Sequence, residues 1–190
     1  MLYSIGKVII PVFNKLFFKM EAVGQENVPS EGRVILCANH LHAYDPVALA
    51  SFVKRPVIYL GKKELFVNPF VRFVLTDLGA IPVDREKVAM STFKQVIKVL
   101  NEDKVLGIFP EGTRVKNRED SHPHEGFVMF ALKTKSPIVP VHIDGEYGFR
   151  KKIKLTFGRP IYLDEYYEKR IRSEQMAEIS QKIMDTIYQL

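Results

Sequence analysis

The sequence lacks the features by which disulfide-rich secreted domains and membrane-spanning proteins are recognised. Its single cysteine, Cys37, excludes an internal disulfide and a paired-cysteine metal or redox site. No stretch approaches the roughly 20 consecutive apolar residues of a transmembrane helix, and no cleavable signal peptide is recognisable. Internal repeats and low-complexity tracts are missing as well. The 190 residues therefore predict one globular domain in a reducing compartment.

The composition gives this domain a basic character. Hydrophobic residues make up 46% of the chain, which allows a core to form without disulfides or metal ions. Lysines and arginines number 28 against 22 acidic residues, a formal net charge of +6. A basic excess predicts an anionic partner, and nucleic acid, an acidic carrier protein, a phosphorylated metabolite and an anionic lipid surface all remain open at this point.

Residues 1–20 predict an amphipathic helical segment. Aliphatic and aromatic side chains cover most of a helical wheel, and one narrow face collects Ser4, Lys7, Pro11, Asn14 and Lys15. Because proline lacks a backbone donor, Pro11 is expected to kink this segment or to divide it into two short helices. The wide apolar arc favours a helix lying in the bilayer interface, and packing against the protein core is the alternative.

The rest of the chain alternates short apolar runs with segments of helical periodicity. The runs are rich in β-branched residues and predict buried strands over 34–38, 57–60, 80–83, 105–109, 138–143 and 153–157. Helices are predicted from about residue 46, after residue 69, over 89–100, around 127–132 and within 166–190. This order predicts an α/β fold with a mixed, mostly parallel central sheet flanked by helices, formed by one domain over residues 21–190.

Polar residues with catalytic potential directly follow the predicted strand 34–38. The segment contains His40 and, five positions further on, Asp45. A histidine at a strand end can serve as a general base when a carboxylate holds its second ring nitrogen. Pro46 at the first position of a helix makes Asp45 the expected N-cap, which would hold the carboxylate near the imidazole. The alternative is a surface histidine beside a helix cap, because this spacing is common by chance.

A second polar turn follows the predicted strand 105–109. It has the sequence FPEGTR (residues 109–114) and offers backbone amides, a hydroxyl and an arginine fork. These groups suit a phosphate or carboxylate ligand, and a structural turn with an ion pair between Glu111 and Arg114 is the alternative. Two further strand segments are residues 79–85, which end at Arg85, and residues 138–141.

In order and spacing, these four segments resemble the NHxxxxD, GxxxxR, FPEGTR and VPV blocks of the glycerolipid acyltransferases, most closely those of the 1-acylglycerol-3-phosphate acyltransferases. The resemblance covers about residues 24–160. It implies that His40 deprotonates the acceptor hydroxyl, that Asp45 orients and charges His40, and that the hydroxyl attacks an acyl thioester without an acyl-enzyme. It also implies a site for the acceptor phosphate, made of Arg85, Glu111, Gly112, Thr113 and Arg114, with Lys63 either adding charge or remaining solvated.

The resemblance further implies the substrates and the location of the enzyme. Lysophosphatidate and an acyl-carrier-protein or coenzyme A thioester would give phosphatidate for phospholipid biosynthesis, with no cofactor and no metal. The enzyme would be monotopic or peripheral on the cytoplasmic face of the cell membrane, with residues 1–20 as its contact. Leu41, Val115 and Glu125 differ from residues that family members often carry, which leaves glycerol 3-phosphate or another lysolipid open as the acceptor.

Two other classes of function remain open from the residues themselves. A metal-dependent hydrolase is suggested by two HxH pairs and two carboxylates, namely His40, His42, His122, His124, Asp45 and Asp120. A non-catalytic module for membrane surfaces or nucleic acid is suggested by the basic cluster Arg150, Lys151, Lys152 and Lys154. No nucleic-acid motif accompanies this cluster, so a nucleic-acid partner is not expected.

Overall fold

The computed structural model describes residues 2–84, 89–115 and 118–190. In chain order its elements are α1 (Leu2–Phe17), β1 (Lys19–Val23), β2 (Val34–Ala38), α2 (Asp45–Phe52), β3 (Val57–Lys62), α3 (Pro69–Asp77), β4 (Ile81–Val83), α4 (Met90–Asn101), β5 (Val105–Ile108), α5 (Gly126–Thr134), β6 (Ile138–Gly145), β7 (Lys152–Phe157) and α6 (Ser173–Tyr188). Short 3₁₀ turns lie at Gln25–Asn27, Lys63–Phe66, Arg118–Asp120 and Asp164–Tyr166. The alternation of strands and helices is the one that the sequence predicts.

In the described part of the chain, seven strands form one sheet in the order β1-β7-β6-β2-β5-β3-β4. Strands β6 and β7 are antiparallel, and the other neighbouring pairs are parallel. The predicted mixed, mostly parallel sheet flanked by helices is therefore confirmed. The carboxyl ends of β2, β3, β4 and β5 lie at the same edge, so the loops that follow these strands come together there.

Two apolar cores lie on opposite faces of this sheet. All five side chains of β2 are buried, and they alternate between the cores, with Ile35 and Cys37 in one and Leu36 in the other. Helices α4, α5 and α6 cover the first core, and α2 covers the second. Burial raises the pKa of the Cys37 thiol, so this cysteine is a small core residue and not a nucleophile.

Helix α1 differs from the prediction in two respects. It continues through Pro11 as one helix and is not divided in two, and it packs against α2 and α3. Its Asn14 points into the protein, where the side-chain amide donates to Ser51 Oγ (3.1 Å) and accepts a hydrogen bond from the Tyr44 phenol (2.7 Å). The exposed side chains of α1 are then mainly apolar, with Lys15 as a charged exception. Among the helices of the described ranges, none has both the length and the apolarity needed to cross a bilayer.

Strand β1 begins at Lys19, so its first two residues lie within the segment 1–20 that the sequence predicts as helical, and the expected boundary between residues 20 and 21 falls inside the strand. It forms the edge of the sheet and pairs in parallel with β7, with Lys19 opposite Lys152. Its residues alternate between exposed and half-buried positions and include a lysine and a glutamate. Edge strands of this kind lack the continuous apolar run by which the buried strands were predicted.

Candidate active site

His40 and Asp45 lie together just beyond the carboxyl end of β2, as their spacing predicts. His40 Nδ1 is 2.8 Å from Asp45 Oδ2, and the same oxygen accepts hydrogen bonds from the N–H groups of Leu41 (2.6 Å) and His42 (2.7 Å). Asp45 is fully buried, so these donors replace the water that its charge would otherwise require. Because a carboxylate only accepts hydrogen bonds, the proton of a neutral His40 lies on Nδ1 and Nε2 is the basic atom.

The start of α2 differs from the prediction. Tyr44 occupies the N-cap position, and Asp45 is the first helical residue, followed by Pro46. The Asp45 carboxylate turns back onto the amides of Leu41 and His42 and so closes the loop between β2 and α2. This local closure aims the carboxylate at the imidazole, the outcome that was predicted from capping.

The FPEGTR turn encloses the backbone of His40. The His40 N–H donates to Glu111 Oε2 (2.9 Å), and the Val115 N–H donates to the His40 carbonyl (2.8 Å). The imidazole stacks on the ring of Phe109, with ring centroids 4.3 Å apart. Since β2 and β5 are neighbours in the sheet, the two turns leave it side by side. Two motifs that are distant in sequence therefore form one structural unit around His40.

Glu111 lies behind His40 and not at the surface. Its side chain is buried, and Oε1 accepts hydrogen bonds from the hydroxyl of Ser121 (2.7 Å) and the phenol of Tyr188 (2.6 Å), whereas Oε2 binds the backbone of His40. A buried carboxylate with donors on both oxygens does not attract an anionic ligand. The structure thus gives Glu111 a different place from the phosphate contact that the resemblance implies.

Asn39 holds the end of β2 against β6. Its side-chain amide donates to the Ile143 carbonyl (2.9 Å) and accepts from the Ile143 N–H (2.7 Å), and the whole side chain is buried. This two-point bridge satisfies backbone groups of the neighbouring strand at the point where the chain leaves the sheet. Asn39 therefore determines where His40 stands relative to β6.

A cavity of about 1310 Å³ opens at His40. Its polar end is lined by Gly112, Thr113 and Arg114, and both of the larger side chains are exposed. The remainder is mainly apolar and includes Leu65, Val74, Leu78, Phe93, Met129 and Phe130, with Gly6 and Ile10 of α1 on one side. The arrangement suits a ligand that combines an anionic group with a hydrocarbon chain.

Gly112 brings the backbone of the FPEGTR turn against His124. It adopts a left-handed φ of 64°, and a Cβ at this position would lie 2.9 Å from the His124 ring. His124 is exposed, as expected for a solvated histidine of the loop, and it also lines the cavity. Its imidazole therefore borders the same polar end as Thr113 and Arg114.

Sequence comparison decides the family. Residues 19–144 match the family described as Acyltransferase. The chain belongs to the acyltransferase family. A 1-acyl-sn-glycerol-3-phosphate acyltransferase of Bacillus subtilis is 33% identical over 153 residues, which cover 77% of this chain and 76% of that protein. A protein of the same name from Borreliella burgdorferi is 34% identical over 148 residues, which cover 76% of this chain and 59% of that protein.

A solved acyltransferase structure shares the fold. The crystal structure of PlsC, the 1-acyl-sn-glycerophosphate (LPA) acyltransferase from Thermotoga maritima, matches 99% of this chain and 78% of that chain with a TM-score of 0.70. The two sequences are 23% identical, so this likeness supports the architecture of the sheet and its helices. The roles of individual residues are argued from the geometry of this chain.

Lys63, which is predicted for the phosphate site of the acyltransferase, lies near the end of β4. Arg85 lies outside the described residues, but β4 ends at Val83, which is paired with Lys62 of β3 beside the cavity. The exposed Lys63 forms an ion pair with Asp84. Lys63 and Asp84 therefore lie at the edge of the sheet that carries His40.

Two tyrosines outside the motifs contact the site of the acyltransferase. Tyr147 follows β6, and its phenol donates to Asp45 Oδ1 (2.6 Å); Tyr188, at the end of α6, donates to Glu111. Burial and the adjacent carboxylates raise the pKa of both phenols, which keeps them protonated as donors. The tyrosines are separated from their partners by 102 and 77 residues, so no local spacing could have predicted either contact.

The two histidine pairs do not form a shared metal site in the part of the chain that is described. Within those ranges no three histidine, cysteine, aspartate or glutamate side chains are grouped as metal ligands. His42 stacks on Tyr147 with ring centroids 4.5 Å apart, and its Nδ1 accepts a hydrogen bond from the Tyr44 N–H (3.2 Å). The hypothesis of a metal-dependent hydrolase therefore gains no ligand cluster from these residues.

Proposed function

We propose that this acyltransferase moves a fatty acyl group from an acyl thioester to the free hydroxyl of 1-acylglycerol-3-phosphate, forming phosphatidate for phospholipid biosynthesis. The observation that carries the proposal is the His40–Asp45 pair at the opening of a cavity with one polar end and an apolar remainder. Lysophosphatidate has the matching combination of a phosphate and a hydrocarbon chain. The names of the relatives from Bacillus subtilis and Borreliella burgdorferi support the same reaction.

His40 acts as the general base of this reaction. Its Nε2 takes the proton of the acceptor hydroxyl while the hydroxyl oxygen attacks the thioester carbonyl. The tetrahedral intermediate then expels the thiolate, the C–S bond breaks as the ester forms, and the thiolate takes the proton back from His40. Asp45 holds the Nδ1–H and stabilises the imidazolium, so the reaction needs no acyl-enzyme and no cofactor.

The acceptor phosphate binds at the polar end of the cavity. Arg114 provides a planar, charged fork, Thr113 provides a hydroxyl, and the open Gly112 turn brings backbone close to the ligand. Arg85 and Lys63 complete this set in our proposal, with the charge of Lys63 partly neutralised by Asp84. Anchoring the phosphate positions the free hydroxyl for attack, which is the main kinetic advantage of such a site. Glu111 supports the site from behind by holding the backbone of His40.

The enzyme rests on the cytoplasmic face of the cell membrane through α1. Five apolar side chains of this helix are between 42% and 68% exposed, namely Ile9, Val12, Phe13, Leu16 and Phe17. The neighbouring α3 and the turn before it expose Leu65, Val67, Phe70 and Phe73. Exposed apolar patches of this kind mark membrane contacts. Because α1 also lines the cavity, a lipid chain has a short path from the bilayer to His40.

The acyl donor is a thioester of acyl carrier protein or coenzyme A. Either carrier is anionic, and the exposed basic cluster Arg150, Lys151, Lys152 and Lys154 provides long-range attraction toward it or toward anionic lipid. The two donors are distinguished by assaying both with the same acceptor.

The decisive experiment compares wild type with His40→Ala in acyl transfer from palmitoyl and oleoyl thioesters to lysophosphatidate. We expect wild type to form phosphatidate with and without EDTA, and turnover by the variant to fall about 10²- to 10⁴-fold. His122→Ala removes an exposed histidine from the loop and is the matched control, with activity near that of wild type. Parallel assays offer glycerol 3-phosphate and lysolipids with other headgroups.

Each contrary outcome removes a different part of the proposal. Normal activity of the His40→Ala variant would exclude His40 as the general base. Loss of wild-type activity in EDTA would favour metal-dependent chemistry. Acylation of glycerol 3-phosphate or another lysolipid in preference to lysophosphatidate would reassign the acceptor. No transfer to any of these acceptors would overturn the proposed reaction.

A further inference from the structure

Tyr147, which lies outside the sequence motifs, donates a hydrogen bond to the second carboxylate oxygen of Asp45. His40 Nδ1 and two backbone amides all bind Asp45 Oδ2, whereas the Tyr147 phenol donates to Oδ1 at 2.6 Å. A carboxylate turns about its Cβ–Cγ bond, and the three contacts on Oδ2 oppose that rotation. A donor on Oδ1 opposes it further and also satisfies a buried charged atom.

We infer that Tyr147 is a positioning residue of the acyl-transfer reaction, which acts by fixing the plane of the Asp45 carboxylate and through it the tautomer and orientation of His40. This inference rests on the proposed function, because it assigns Tyr147 a role in that reaction. Tyr147 does not line the cavity, so it acts through Asp45 and not by touching substrate.

The local backbone brings Tyr147 to this position. Gly145 at the end of β6 has a φ of 114°, and a Cβ there would lie 2.3 Å from the Lys152 carbonyl oxygen. The chain can therefore turn sharply between the antiparallel strands β6 and β7 only with glycine at this point. That turn places Tyr147 beside the loop between β2 and α2.

The surrounding rings hold the aromatic part of Tyr147 independently of its hydroxyl. The ring stacks on His42 (4.5 Å between centroids) and packs edge-on against Phe18 (5.7 Å) and Tyr44 (5.9 Å). Burial and the Asp45 charge raise the pKa of the phenol, so it remains a donor throughout the neutral range. A Tyr147→Phe change thus removes the hydrogen bond while retaining the ring packing.

The test uses Tyr147→Phe in the full chain, with Tyr162→Phe as the matched control. Tyr162 is exposed and follows Ile161. Ile161 pairs with the first residue of β6, at the end of the sheet opposite to His40. We expect kcat for transfer to lysophosphatidate to fall about tenfold in Tyr147→Phe, with an unchanged acceptor KM. The reason is that the hydrogen bond from Tyr147 to Asp45 orients the base and does not bind substrate. The control retains wild-type kcat.

Two further measurements separate positioning from a merely structural role. In Asp45→Asn the additional Tyr147→Phe change should have no further effect on kcat, because both act through the same carboxylate. In ¹⁵N spectra of the imidazole, Tyr147→Phe should change the distribution of the His40 proton between Nδ1 and Nε2, and this signal does not depend on the substrate.

The outcomes for Tyr147 and for the proposed reaction are distinguishable. A wild-type enzyme without transfer to lysophosphatidate would contradict the reaction, while a changed His40 tautomer in Tyr147→Phe would still support the positioning contact. Unchanged kcat and an unchanged tautomer in Tyr147→Phe would overturn the inference. An effect of equal size in the Asp45→Asn background would also overturn it, since additivity indicates a role that does not pass through Asp45.

Discussion

The two ends of the cavity are built in opposite ways. At the polar end, the side chains that support His40 are buried, and their oxygen atoms bind donors from several elements of the chain, as Asp45 and Glu111 show. At the apolar end, α1 lines the cavity with one face and exposes large apolar side chains on the other. One end is held by directional contacts inside the protein, and the other leaves apolar side chains exposed, where we propose the membrane contact.

This difference teaches that the two ends tolerate different substitutions. A buried hydrogen-bond network fails when one donor or charge is removed, because the remaining partner is left unsatisfied. An exposed apolar face accepts polar residues without loss of folding, but it then loses affinity for an apolar surface. Chemistry and membrane attachment should therefore be separable by mutation.

The largest expected effect is that of Asp45→Asn. The amide keeps the size of the side chain but removes the charge that stabilises the imidazolium, so kcat should fall about 10²- to 10⁴-fold with little change in KM. Steady-state kinetics with lysophosphatidate measure this, and Asp164→Asn at an exposed position is the control. Activity near that of wild type would show that the buried network is dispensable for chemistry.

The apolar face is tested by the double substitution Ile9→Glu with Leu16→Glu. Both side chains are well exposed, so the fold should be retained while the partition coefficient onto phospholipid vesicles falls about 100-fold. Vesicle sedimentation measures binding, and turnover of short-chain, water-soluble substrates should remain unchanged. Tyr162→Glu adds one negative charge at the opposite end of the sheet and controls for the effect of a new surface glutamate. Undiminished binding by the double variant would place the membrane contact elsewhere.

Arg114→Ala tests the boundary between the two ends. Loss of a charged fork from the phosphate site should raise the KM for lysophosphatidate about 30-fold, with a smaller change in kcat. Arg114→Lys keeps the positive charge but loses the planar fork, so its KM should lie between those of wild type and Arg114→Ala. Arg159→Ala is the control, since this exposed residue follows β7 at the far edge of the sheet. An unchanged KM would remove Arg114 from the phosphate site.

The smallest expected effect is that of Tyr188→Phe at the polar end. Glu111 Oε1 loses one donor and keeps Ser121, so kcat should fall about threefold and the free energy of unfolding by about 1 kcal/mol. Urea unfolding and kinetics measure the two quantities. A loss as large as that of Asp45→Asn would mean that α6 takes part in chemistry far more directly than its contact with Glu111 indicates.

Much of the fold was predictable because the buried strands appear in the sequence as apolar runs. Strand β2 matches its predicted bounds, and the predicted strands over 57–60, 105–109 and 138–143 coincide closely with β3, β5 and β6. Strand β1 was not predictable in this way, since an edge strand needs only one half-buried face. The continuity of α1 at Pro11 was also not predictable from the local sequence, because α1 makes contacts with neighbouring helices that are distant in sequence.

The candidate site likewise contains contacts that the sequence predicts and contacts that it does not. His40 and Asp45 are five residues apart, so a single loop determines their distance and the motif predicts their contact. The family resemblance implied a ligand contact for Glu111, whereas the packing of β5 beside β2 buries it against the His40 backbone. Tyr147 and Tyr188 carry no sequence signal at all, because their partners lie in other elements.

The sequence by itself determined the alternation of strands and helices, the local His40–Asp45 pair, the motif order that indicated the acyltransferase family and the amphipathic character of α1. Only the tertiary structure decided which side of α1 faces outward, where the carboxylate of Glu111 points and which phenols complete the polar end. The physical reason is the range of the interactions. Backbone geometry relates residues a few positions apart, but contacts across 71 or 102 residues exist only once the strand order brings β2, β5 and β6 together.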